Sequence, residues 1–172
     1  MAQKGTHTRG EILGQPAAWR AALAEFRRRA DAVREFWEGG QFSDVVLAGC
    51  GSTHYLALAL APLIQSLLPV HSARVAPASE LLLFPETVVP RGGKSLLMAI
   101  SRSGQTTETV QAVRAFRERR AGRVWAFTCY EDSLLVQESD LALVASEAKE
   151  QSVVQTGSFT SLLLLAQACA RM

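Results

Sequence analysis

A chain of 172 residues that is 48% apolar and 20% charged has the size and make-up of one globular domain with a buried core. Its formal net charge of +2 is too small to argue for nucleic acid, and the densest basic cluster, Arg27-Arg28-Arg29, is interleaved with Glu25, Asp31 and Glu35 as on a solvated helix face. Residues 1–12 have no apolar core and do not read as a signal peptide, and the most apolar stretches, Tyr55 to Leu68 and Leu162 to Ala170, fall short of the roughly 20 residues of a membrane span, so they read as buried helices of a cytoplasmic protein.

Residues 1–10 read as a loose polar tail, and residues 11–172 as a single domain. From Glu11 to Glu38, apolar residues at Ala18, Ala22, Phe26, Ala30, Val33 and Trp37 keep near-helical spacing. Pro16 marks a helix start or a short break, and Gly39-Gly40 stops the pattern. The period then changes. Asp44 to Ala48 is a short continuous apolar run ending at Gly49, as expected of a buried parallel strand.

A helix over Thr53–Leu68 leads to a second strand at Ala73–Ala76, a short helix at Ser79–Leu83 and a loop over Pro85–Gly93. A third strand spans Ser95–Ile100, followed by a helix over Thr107–Arg120. Strands at Arg123–Thr128 and Leu141–Val144 precede a final helix over Gln151–Met172. Such alternation predicts an α/β fold: a five-stranded parallel, flavodoxin-like sheet with helices on both faces. In a 2-1-3-4-5 strand order, strands one and three are neighbours at the switch point, where such sheets bind ligands.

Two polar loops fall at that switch point. Gly49-Cys50-Gly51-Ser52-Thr53-His54 follows strand one, and Ser101-Arg102-Ser103-Gly104-Gln105-Thr106 follows strand three. Glycine lets a ligand approach the backbone, hydroxyls add donors, and a helix N-terminus offers free N–H groups to an anion. The pattern predicts a phosphate site. The first loop is not a dinucleotide fingerprint, because His54 replaces its third glycine and no acidic residue ends strand two. The second is not a nucleophile elbow, since Ser101 stands where a glycine is needed.

Other residues are less telling. The three histidines, His7, His54 and His71, are scattered, and no metal site is expected. Cys50, Cys129 and Cys169 lack ligand spacing and read as buried, reduced thiols. Glu80 and Glu108 are the carboxylates nearest in sequence to the two loops, and neither reads as a catalytic base. A third polar segment, Glu147 to Thr160, follows strand five and lies at the same edge.

These pieces resemble the sugar isomerase (SIS) domain family from Glu11 onward, and more narrowly the first SIS module of the glucosamine-6-phosphate synthase isomerase half and of tagatose-6-phosphate ketose/aldose isomerase-like proteins. The matching residues are Glu11-Ile12 with Gln15-Pro16, Gly49 to Thr53, Ser101 to Thr106, Glu138 to Ala142, and Glu150 to Val154 through Ser158-Phe159-Thr160. The resemblance implies a phosphorylated sugar as ligand, a hexose or aminohexose phosphate. It implies phosphate binding by Ser101, Ser103, Gly104, Gln105, Thr106, Ser52 and Thr53, with Gly51, Val153 and Gln155 at the sugar end.

The resemblance names no cofactor, metal or catalytic residue in this chain. Gly157 stands where the family carries a basic residue, and Phe159-Thr160-Ser161 where compact members carry a catalytic glutamate. The expected function is a phosphosugar-binding domain of an aldose–ketose isomerase or aminosugar-phosphate enzyme. A non-catalytic sugar-phosphate sensor is the alternative from another class, and an FMN-binding protein a third reading. Pairing, as a homodimer or with a second SIS module after Met172, is the expected assembly.

Overall fold

The computed structural model describes residues 5–91 and 94–171. Helix α1 (Thr6–Gly40) leads to β1 (Asp44–Gly49), α2 (Ser52–Leu67), β2 (Ser72–Pro77), α3 (Ala78–Leu83) and the single turn α4 (Pro85–Val88). Then follow β3 (Ser95–Ile100), α5 (Thr107–Glu118), β4 (Gly122–Thr128), the turn α6 (Leu134–Gln137), β5 (Leu141–Val144) and α7 (Gly157–Ala170). The sheet is wholly parallel in the order β2-β1-β3-β4-β5. The helices that connect the strands pack back on the sheet, which is how this sequence alternation becomes two covered faces.

Side-chain alternation along the strands divides the core. Val45, Leu47, Leu96, Met98, Ile100, Trp125 and Phe127 pack with residues of α1, α2 and α7. Val46, Ala48, Leu97, Ala99, Val124 and Ala126 pack under α3, α4, α5 and α6. Central strands β1 and β3 are buried at every position, whereas edge strand β5 is buried only at alternate ones. Burial on both faces explains the uninterrupted apolar runs.

Most expected boundaries shift by no more than two residues, and three change by more. Helix α1 begins at Thr6, so residues 6–10 are helical and not part of a tail, while residues 1–4 lie outside the described residues. Pro16 sits inside that helix. Proline cannot donate to the carbonyl of Ile12, and the Gln15 side-chain amide donates to it instead at 3.2 Å. Past Gly39-Gly40, the helix is closed by Gln41 in a left-handed conformation at φ 47°.

Between Pro85 and Gly93 the first four residues form a helical turn, and residues 92 and 93 are not among those described. The final helix starts at Gly157, because residues 150–156 are held as an irregular loop by side-chain bonds to their backbone. The Glu138–Ala142 motif is structural. Asp140 accepts from Val124 N at 2.7 Å and so sets the start of β5 against β4, while Glu138 pairs with Arg114 at 2.9 Å.

Candidate functional site

The carboxyl ends of β1, β3, β4 and β5 converge on one edge of the sheet. Parallel register pairs Gly49 with Ile100, Ile100 with Phe127, and Thr128 with Val144, so the loops that follow start side by side. All three polar segments expected from the sequence therefore meet at that edge.

The turn after β3 is organised by its own hydroxyls. Ser101 Oγ accepts from Gly104 N at 3.1 Å and shares a hydrogen bond with Thr106 Oγ1 at 3.0 Å. Ser103 Oγ accepts from Gln105 N at 3.1 Å. Gly104 is left-handed at φ 62°, and a Cβ there would lie 2.2 Å from Ser133 Oγ. Glycine is thus required by both conformation and space. Ser101 and Gly104 are buried, Ser103 and Thr106 are half-buried, and Gln105 is exposed where α5 begins. The turn ends at the N-terminus of α5, where free backbone N–H groups and the helix dipole favour an anion.

The loop after β1 is shaped from within. Gly51 takes φ 59°, and the buried Thr53 hydroxyl both donates to Cys50 O and accepts from Cys50 N, each at 3.0 Å. That hydroxyl is spent on the loop, whereas Ser52 remains exposed on the first turn of α2. Cys50 is exposed too, which corrects the expectation of three buried thiols; Cys129 and Cys169 are buried. Burial pushes the Cys129 thiol up to about 12, helped by the charge of Glu150 and opposed by Arg102 and Lys149.

The third segment is fastened from several sides. Glu150, its side chain 1% exposed, accepts from Thr156 N and Thr156 Oγ1 at 2.7 Å each and from the Ser158 hydroxyl. Glu11, from α1, accepts from Gln151 N at 2.7 Å, from Ser152 N at 3.1 Å and from the Ser152 hydroxyl. Desolvation pushes the Glu11 carboxyl up, but the Ser152 hydroxyl and the two backbone N–H groups, with the charge of His7, outweigh it and hold it below its ordinary value. Arg102 Nη1 donates to the carbonyls of Ser152 at 3.2 Å and Val153 at 3.3 Å. Val153 stands 91% exposed, and the buried Gln155 Oε1 has no partner.

Glu80 and Glu108 take no part in these bonds. The carboxylates of the site are Glu11 and Glu150. Their spacing in sequence hides that, and only the return of α7 beside α1 brings them together. Buried polar atoms without a partner also include His54 Nδ1, in the first turn of α2, and Ser133 Oγ, beside Gly104. Beside the β3 turn a cavity of about 330 Å³ is lined by Ser103, Gln105, Tyr130, Asp132, Ser133 and Lys149, among others. A larger cavity of about 470 Å³, bounded by Arg91, Arg119 and Arg120, lies at the opposite edge of the sheet, away from these loops. Among the described residues no cluster of His, Cys, Asp and Glu is placed to hold a metal ion, and no helix is long and apolar enough to cross a membrane.

A family model described as SIS domain matches residues 42–172. Glutamine–fructose-6-phosphate aminotransferase (isomerizing) of Chlamydia caviae is 30% identical over 161 residues, covering 90% of this chain and 26% of that protein. The enzyme of the same name from Pyrobaculum aerophilum is 33% identical over 125 residues, covering 70% of this chain and 19% of its own length. Among solved structures, tagatose-6-phosphate ketose/aldose isomerase from Escherichia coli superposes with a TM-score of 0.87 at 25% identity, over 98% of this chain and 48% of that one. Glucosamine-6-phosphate deaminase from Thermotoga maritima gives 0.63 at 29% identity, over 87% and 49%. The chain thus spans about a fifth to a quarter of the length of these curated relatives and about half of these solved chains.

Proposed function

The chain belongs to the SIS domain family, and we propose that it binds a phosphorylated sugar as a domain of an aldose–ketose isomerase or aminosugar-phosphate enzyme. The observation that carries this reading is the turn after β3: three hydroxyls and the N-terminal N–H groups of α5, beside the β1 loop at the switch point of the sheet. Ser101, Ser103 and Thr106, with the amides of Gly104 and Gln105, hold the phosphate. Ser52 and the Gly51 backbone add donors, and Thr53 shapes their loop from behind. Val153 and Gln155 meet the sugar, the free Gln155 Oε1 accepting from a sugar hydroxyl.

Isomerisation of such a ligand moves one carbon-bound proton and one hydroxyl proton. A base removes the first from the carbon beside the carbonyl as the carbonyl oxygen is protonated, giving an enediol; the proton then returns to the former carbonyl carbon as the neighbouring hydroxyl gives up its own and becomes the new carbonyl. This chain contributes position to that reaction by anchoring the far end of the substrate. The carboxylates Glu11 and Glu150 are both committed to hydrogen bonds within the loop cluster, which supports a base supplied from outside this chain. The same observation favours the second reading, a sensor that binds without turnover. Exposed apolar residues on α1 and α2, Ile12, Leu13, Tyr55 and Leu58 among them, support pairing with a second SIS-type domain or a second copy.

Thermal-shift titration of the chain with hexose 6-phosphates and with unphosphorylated hexoses tests the reading. A ligand at about 100 times its Kd stabilises the folded state by about 2.7 kcal/mol. Phosphorylated sugars shift the transition and plain hexoses do not; equal shifts would refute the phosphate anchor. An isomerase assay with fructose 6-phosphate then separates the roles. Binding without turnover is the expected result, and turnover would place the base within these residues.

A further inference from the structure

Arg102 stands between two serines of the turn, but its contacts run towards other strands. Its carbonyl accepts from Cys129 N at 3.0 Å and Thr128 Oγ1 at 3.1 Å, which fixes its backbone to the end of β4. Its side chain, 24% exposed, reaches the loop after β5, where Nη1 caps the carbonyls of Ser152 and Val153. The same Nη1 lies 3.8 Å from Glu150 Oε2, the buried carboxylate that closes the other end of that loop. One side chain thus spans from the turn to the segment bearing Val153 and Gln155.

We propose that Arg102 is a positioning residue that holds the 150–156 loop in register with the 101–106 turn, so that the sugar end of a ligand meets a preformed surface. This rests on the phosphate reading of the turn. Glu11 and the Glu150 bonds fasten the loop from α1 and from α7, and among the described residues Arg102 is the side chain that hydrogen-bonds it to the turn after β3. A loop ordered in advance spares binding the loss of freedom that ordering would otherwise require. A guanidinium suits this task because its planar fork donates in fixed directions and stays charged at every working pH. Without it, two carbonyls lose charge-assisted bonds and Glu150 loses the nearest cation.

The test uses the full chain with Arg102→Met and Arg102→Lys, titrated with inorganic phosphate and with fructose 6-phosphate, and backbone amide exchange read over residues 151–155. Arg102→Met weakens fructose 6-phosphate about tenfold and inorganic phosphate about threefold or less, because only the former uses the loop. Exchange at the loop amides speeds up in the same variant without ligand. Arg102→Lys, which keeps the charge, restores phosphate affinity and recovers most of the sugar-phosphate affinity. Equal losses for both probes would overturn the proposal in favour of direct phosphate contact. Unchanged loop exchange in Arg102→Met would overturn it as well. A wild-type chain that binds neither probe would remove the phosphate reading itself, whereas wild-type binding with equal losses in the variant removes only the positioning role.

Discussion

The hydroxyl oxygens of Ser101 and Thr106 stand 3.0 Å apart, bonded to each other across the turn that follows β3. Ser101 Oγ also accepts from Gly104 N, so the Thr106 hydroxyl is the freer of the two to turn towards a ligand. Thr106→Val keeps the shape and removes that donor. A hydrogen bond to a charged group is worth about 1.5–3 kcal/mol, so binding of a hexose 6-phosphate weakens roughly ten- to a hundredfold. Stability changes by about 1 kcal/mol or less, as one neutral bond is lost. Calorimetric titration beside urea denaturation checks both halves.

Gly104→Ala places a methyl group against Ser133 Oγ at 2.2 Å, Ser133 Cβ at 2.4 Å and Thr128 Oγ1 at 3.0 Å, on a backbone at φ 62°. Strain and overpacking together destabilise the fold by about 2–4 kcal/mol. Pairing it with Ser133→Gly relieves the contact but not the backbone strain. The double variant therefore recovers part of the loss, and full recovery would show that only space mattered.

Glu11 gives the site a dependence on acid. Its folded value lies below the ordinary 4.5, so its contribution is present above that pH and is lost as pH falls through the folded value. The stability difference between wild type and Glu11→Ala stays constant from about pH 7 to about pH 5 and shrinks at lower pH. Denaturant unfolding of both proteins over that range measures it. A difference that grows on acidification contradicts the bonds to Ser152 and Gln151.

Thiol chemistry separates the three cysteines. Cys50 is exposed, while burial keeps Cys129 and Cys169 protonated well above the ordinary 9.0. A disulfide-exchange reagent at neutral pH modifies Cys50 alone in the native chain and all three after denaturation. The buried pair also links to alkali. Their contribution is fully present below pH 9.0 and falls away as pH rises from there towards about 12 for Cys129. Faster native labelling of Cys129 than of Cys50 contradicts this arrangement.

The strands were legible because each is short, apolar and bounded by turn residues; Ser95–Ile100 and Leu141–Val144 coincide with the expectation residue for residue. The switch-point loops followed from strand order, a rule of topology that needs no side-chain detail. Boundaries set by tertiary contact were not legible. Helix α1 runs through Pro16 because Gln15 replaces the missing donor, and residues 151–156 stay irregular because Glu11, Glu150 and Arg102 claim their backbone. Glu11 stands in the sequence as part of a matching Glu11-Ile12 pair with no role attached, since nothing local marks a carboxylate whose partner is Ser152. For Thr53, sequence shows a hydroxyl at a phosphate-loop position, and only geometry shows that it serves Cys50.

The bond between Glu11 and Ser152 joins residues 141 positions apart. A ribosome adds roughly 5–20 residues each second, so Glu11 waits on the order of ten seconds for its partner to be made. During that interval the residues of β1, β3 and the turn after β3 have already been made, while those of the loop after β5 have not. The loop cluster is therefore finished late in synthesis, and a nascent chain stalled before residue 150 carries the residues of the 101–106 turn without those of the loop that meets it.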